Sequence, residues 1–124
     1  MNTSHLRAVL GAVLVLAAGS ALAASADPPQ PSIAFANHGG IRDWEADKDR
    51  GVWVQDVHRH WYYAKLMGPC LGLSFANSIG FDTHPLGRFD RFSAIVVPGS
   101  GRCTVQSFTA SEGPRADKKR AAPG

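Results

Sequence analysis

Apolar and polar positions alternate along this chain in short stretches separated by Gly, Pro and Asn. Beyond an apolar run near the start, apolar residues never recur at helical spacing for two full turns. Residues 41–46 predict a first strand, with Ile41 and Asp43 on one face and Arg42 and Trp44 on the other. Asp47-Lys48-Asp49-Arg50-Gly51 reads as the turn that ends it, with Gly51 able to take a positive φ. Residues 52–57 and 61–67 are rich in β-branched and aromatic side chains, and His58-Arg59-His60 between them has the length of a hairpin loop. In the second of these strands Tyr62, Ala64 and Leu66 share a face assigned to the core. Trp61, Tyr63, Lys65 and Met67 share the other, where aromatic bodies with polar tips suit a rim.

Leu71, Leu73 and Phe75 alternate as a further strand, with Asn77-Ser78 shifting the register as a bulge. His84-Pro85-Leu86-Gly87 is a turn, residues 88–97 form the longest strand candidate, and Pro98-Gly99-Ser100-Gly101 stops it. Residues 102–109 alternate once more. About six short strands without a helix predict an all-β fold, a small antiparallel sandwich or partly open barrel.

The ends of the chain set its compartment. Met1 to Arg7 carry a positive charge and no acid, an apolar run occupies residues 8–18, and small residues follow at Ala21-Leu22-Ala23 and Ala24-Ser25-Ala26. This order predicts a signal peptide over residues 1–26, cleaved after Ala23 or Ala26, and a periplasmic or secreted protein. A membrane anchor is the weaker reading, because the run is shorter than the roughly 18 residues of a span; no membrane span is expected after cleavage. A Pro-rich lead-in (27–32), a β domain (33–111) and a disordered basic tail (112–124) would remain. In an exported chain the two cysteines, Cys70 and Cys103, have one possible pairing, and a structural disulfide is expected. Closing that loop would stabilise the fold by roughly 3 to 4 kcal/mol.

The basic balance does not mark a nucleic-acid binder. From Ile33 to Ser111 eight Lys/Arg (Arg42, Lys48, Arg50, Arg59, Lys65, Arg88, Arg91, Arg102) meet seven acids (Asp43, Glu45, Asp47, Asp49, Asp56, Asp82, Asp90). The excess comes largely from residues 112–124, where Arg115, Lys118, Lys119 and Arg120 face Glu112 and Asp117.

Ile41-Arg42-Asp43-Trp44, Gly68-Pro69-Cys70-Leu71-Gly72-Leu73, Ile79-Gly80-Phe81, Phe89-Asp90-Arg91-Phe92 and Gly101-Arg102-Cys103 occur in this order. Taken together they resemble a family of small exported bacterial proteins known only as a domain of unknown function, over about residues 33–108. The resemblance implies a secreted, cysteine-paired domain and brings no activity or ligand with it.

Chemistry offers few candidates. Asp56, His58 and His60 stand two apart, a spacing that zinc or copper can use, and they support the alternative of a metal-dependent hydrolase. They straddle a turn, where polar side chains simply face water. Glu45, Asp47, Asp49 and Asp56 fit parts of a calcium loop, but Arg50 stands where glycine should permit its sharp turn. Ser93, Ser100 and His84 lack a nucleophile elbow, and Asp82 and Asp90 are an unremarkable pair of acids. The aromatic residues Trp53, Trp61 and Tyr63, with Arg59, form the leading ligand-binding candidate, a platform for a small ligand, glycan or envelope protein. The expectation is therefore a non-enzymatic, disulfide-stapled β domain without cofactors, acting in binding or as a structural component of the periplasm.

Overall fold

The structure, a computed structural model, describes residues 30–121 with the exception of Leu86, so the expected signal peptide lies outside the described residues. Six strands form one antiparallel sheet: β1 (Ile41–Asp47), β2 (Gly51–Asp56), β3 (Trp61–Leu66), β4 (Gly80–Asp82), β5 (Ala94–Val97) and β6 (Gly101–Ser111), in the order β1-β2-β3-β6-β5-β4. The long strand β6 joins the two halves. Its C-terminal part pairs with β3 and its N-terminal part with β5. Between those parts the register shifts, since Lys65 opposes Ser107 while Leu66 opposes Val105, leaving Gln106 unmatched. Such a bulge bends a strand and sharpens its twist. The sheet is curled into a half-barrel, the partly open barrel of the two expected architectures.

The concave face holds the core: Val52, Val54, Ala64, Leu66, Ile95, Val97, Val105 and Phe108, closed by Leu73, Phe89 and Ile33 from the connections. Tyr62 stacks on Phe108 with ring centroids 5.1 Å apart, and Phe89 meets both Phe108 and Phe81 edge-on at 5.3 Å. Ile33 and Phe89 exchange amide–carbonyl bonds of 2.9 Å, tying the segment before β1 to the connection before β5. The Cys70–Cys103 disulfide, with Cα atoms 5.8 Å apart, fastens the loop after β3 to the start of β6.

Alternation in β3 holds: Ala64 and Leu66 are buried, Tyr62 packs against them, and Lys65 is exposed. Elsewhere the structure departs from the pattern for local reasons. In β1 the register shifts between Ile41 and Asp43, so Ile41 and Trp44 both reach the core, where strict alternation had separated them. The expected strand over 71–75 is instead a turn and one 3-10 turn (Leu73–Phe75), of which only Leu73 is buried. The strand expected over 88–97 shrinks to Ala94–Val97, because Asp90 and Ser93 bond the local backbone: the Phe92 amide reaches Asp90 Oδ1 at 2.9 Å and the Asp90 amide reaches Ser93 Oγ at 3.1 Å. In the first hairpin the positive φ falls on Lys48 (53°) rather than Gly51. Gly51 serves space, since a Cβ there would stand 2.2 Å from the Tyr63 hydroxyl.

The largest departure is the tail. Pro114–Ala121 is a helix, α1, where a solvated end was expected. Gly113, with φ 106°, passes over Trp61, whose ring atom a Cβ would meet at 2.9 Å. Pro114 then starts the helix where its missing N–H costs nothing. In β2 residues 51–54 are buried consecutively: Val52 and Val54 meet the core, Trp53 is covered by α1, and Gly51 lies against the Tyr63 ring.

Candidate functional site

On the convex face Glu45, Trp53, Tyr63 and Thr109 form a row across β1, β2, β3 and β6. Trp53 and Tyr63 meet edge-on at 5.2 Å, and Trp53 is only 4% exposed. Two polar groups on these rings need partners once covered. The Trp53 indole donates to Asp117 Oδ2 on α1 at 2.9 Å, and Ser111 donates to the same oxygen at 2.6 Å, while Arg120 holds the other oxygen at 2.5 Å. Donation by Ser111 and Trp53 holds the Asp117 carboxyl below its usual pKa, against the opposing effect of burial. The Tyr63 hydroxyl donates to Asp47 Oδ2 at 2.7 Å, and Arg50 approaches the same oxygen at 3.3 Å. Burial, then the Asp47 bond, pushes the Tyr63 phenol well above its usual pKa.

Beside this contact lies a cleft of about 660 Å³ between the first hairpin and α1. Trp53 and Tyr63 line it together with three cations, Lys48, Arg50 and Lys118, and two acids, Asp47 and Asp117, and Ala46 and Ala121 complete its apolar part. Lys118 stands 5.3 Å from the centre of the Trp53 ring and also reaches Glu45 at 3.1 Å. Aromatic faces beside several cations can hold a flat ligand that carries negative charge.

Of the aromatic platform, the structure brings Trp53 and Tyr63 into this cleft. Trp61 borders a neighbouring one of about 500 Å³ with Glu45, Gly113 and Lys118. Arg59 is apart from both, at φ 70° in the turn between β2 and β3, where its carbonyl accepts from Gln55. Lys48, Arg50, Asp117 and Lys118 were not singled out in sequence. The Gly113-Pro114 pair was the available signal for α1, since Pro favours the first helical position.

Asp56, His58 and His60 lie together without forming a ligand set. One Asp56 oxygen accepts the amides of His58 and His60, each at 2.9 Å, and the other takes the Tyr62 hydroxyl at 3.4 Å. The carboxylate thus closes the turn, and the two imidazole centres stand 6.3 Å apart. Among the described residues no group of three or more His, Cys, Asp or Glu is placed to hold a metal ion. The acids of the first hairpin are likewise engaged: Asp49 accepts the Ser74 amide, Asp47 the Tyr63 hydroxyl and Glu45 the Lys118 ammonium. His84, Asp90 and Ser93 meet in the wrong order for a nucleophile. His84 Nε2 is 3.0 Å from Asp90, whereas Ser93 donates to the Arg88 carbonyl at 3.3 Å. Asp82 pairs with Arg102 at 2.6 Å.

Among the described residues no helix is long and apolar enough to cross a membrane. No curated protein and no solved structure shows significant similarity to the chain. Residues 2–122 match a family of unknown function (DUF6491), and with nearly its whole length covered the chain belongs to that family.

Proposed function

We propose that this protein is an exported, non-enzymatic binding domain that holds a small ligand joining a ring to a negative charge in the cleft between the first hairpin and α1. The carrying observation is that one concavity of about 660 Å³ brings the Tyr63 ring and the edge of the nearly buried Trp53 beside three cations, Lys48, Arg50 and Lys118, against two acids, Asp47 and Asp117, that are already bonded. Ligand sites combine apolar walls with a few convergent polar groups in this way. Export draws its support from the charged start, apolar run and small-residue exit of residues 1–26 and from the disulfide, which an oxidising compartment maintains. The absence of a reaction is part of the proposal, and its support is that the two carboxylates lining the cleft, Asp47 and Asp117, are both bonded to structural partners.

The test follows the Trp53 indole N–H resonance during titration with N-acetylmuramic acid, which joins a sugar ring to a carboxylate, and with N-acetylglucosamine, which lacks the carboxylate. The acid is expected to shift the resonance at millimolar concentration or below and the neutral sugar to do so far less. Lys48→Gln should weaken the response. Silence toward both sugars and toward benzoate would remove the cleft reading, and equal response to both sugars would remove its charge requirement.

A further inference from the structure

Residues 67–75 follow β3 as a loop fixed at several points. The Met67 amide reaches the Thr104 carbonyl at 2.9 Å, the Cys70 amide the Asp49 carbonyl at 2.7 Å, and the Ser74 amide the Asp49 carboxylate at 3.2 Å. Cys70 is bonded to Cys103, and both Cys70 and Leu73 are fully buried. The residues between these anchors turn outward: Met67 is 62% exposed, Leu71 72% and Phe75 88%. Single exposed apolar side chains are ordinary, but three on one pinned loop ask for an occupant.

The base of the loop selects among occupants by charge. Lys48, Arg50 and Lys65 line a recess of about 430 Å³ together with Gly68 and Pro69. The acid in that recess, Asp49, is turned to the Ser74 amide. Exposed apolar side chains on a loop whose first turn borders three cations match the two layers of an anionic bilayer surface, acyl chains below and phosphates above.

We infer that the 67–75 loop docks the domain on an anionic lipid surface, with Met67, Leu71 and Phe75 entering the headgroup–acyl boundary and Lys48 and Lys65 meeting lipid phosphates. The anchors hold the loop before contact, so docking orders little chain. This inference stands apart from the ligand cleft, although Lys48 and Arg50 border both concavities and a docked domain would hold the cleft close to the headgroups.

The experiment uses the chain recovered from the envelope, processed as the cell leaves it, and sedimentation with vesicles of phosphatidylcholine alone or mixed with phosphatidylglycerol. Binding is expected only with the anionic lipid and should fall as salt rises. The double variant Leu71→Ser/Phe75→Ser should lose at least about tenfold in affinity. Its melting temperature should not move, since neither side chain is buried. Lys48→Gln/Lys65→Gln should weaken binding to anionic vesicles. In spectra with nitroxide-labelled lipid, amide signals of residues 67–75 should broaden before those of α1. Absence of vesicle binding would overturn the inference, as would binding that survives the Leu71/Phe75 double variant, which would place contact elsewhere. Capture of an envelope protein through the loop without vesicle binding would overturn it in favour of a protein partner.

Discussion

Replacing both cysteines by alanine tests how far this small domain depends on its cross-link. The bond closes a segment with a sequence separation of 33, from the loop after β3 to β6. On the chain-entropy relation this removes about 12.5 cal/mol/K from the unfolded ensemble, or about 3.7 kcal/mol at room temperature. For a domain of this size each kcal/mol moves the midpoint by roughly 4 to 8 °C, so the double variant should melt roughly 15 to 30 °C lower. Packing adds a separable contribution, because Cys70 is fully buried and Cys70→Ala leaves a small void beside Leu73. Reducing the native chain isolates the cross-link, since it keeps both sulfur atoms in place. Calorimetry of the oxidised, reduced and double-alanine forms should therefore show one large drop on reduction and a smaller further drop on substitution. A reduced protein that melts within about 5 °C of the oxidised one would refute the reasoning, because it would mean that the sheet and its core hold the loop unaided.

Three further outcomes are expected. Asp117→Ala removes the shared partner of Trp53, Ser111 and Arg120, and should cost about 1 to 3 kcal/mol and raise hydrogen exchange across Pro114–Ala121; unchanged exchange there would mean that α1 is held by other contacts. Gly51→Ala drives a methyl group into the Tyr63 hydroxyl and within 2.9 Å of the Ala64 carbonyl, and should destabilise by roughly 1 to 3 kcal/mol in denaturant titration; a neutral result would show that the hairpin yields. Tyr62 and Tyr63, the chain's two tyrosines, both have raised pKa values, chiefly through burial. The fold therefore favours the neutral phenol. Its contribution is complete below the ordinary tyrosine value of about 10 and is lost as pH rises through the raised values, so near-ultraviolet titration of the folded protein should place both tyrosinate steps above about pH 10.

The strands easiest to read were those whose alternation is backed by residue type. β3 combines aromatic side chains with a clean period of two, and the face of Ala64 and Leu66 is the core face, whereas the bulge in β6 breaks the period and brings Val105 and Phe108, three apart, both into the core. The same period misleads at Leu71, Leu73 and Phe75, because a pinned loop with one inward leucine between two outward neighbours has the spacing of a strand. Residues 88–93 mislead differently. Their composition suits a strand, but Asp90 and Ser93 capture local backbone groups and form a turn. The sequence cannot weigh such bonds against a ladder without knowing which partner strand is within reach.

The site was half legible for a related reason. Alternation places Trp53 and Tyr63 on the face away from the core, and each carries a polar atom that burial would leave wanting a partner. From sequence this is equally a platform for a ligand or the underside of a second layer, since both supply an acceptor for the same donor. The structure divides the two roles. Trp53 meets Asp117, 64 residues away, and that half of the face becomes the seat of α1. Tyr63 is satisfied within the sheet by Asp47, which leaves the concavity between hairpin and helix open and bordered by Lys48, Arg50 and Lys118 as well as by Asp47 and Asp117. No local pattern could have selected Asp117 from a tail of charges with no apolar stripe, because the helix has no buried side chain of its own and is held by polar and cation–ring contacts. A segment seated in this way follows the electrostatics of its contacts more than hydrophobic burial, so α1 should respond to Asp117 substitution and to acid before the core does. The Asp117 carboxylate, its pKa lowered in the fold, contributes stability that is complete above the ordinary carboxylate range and is lost as pH falls through the lowered value.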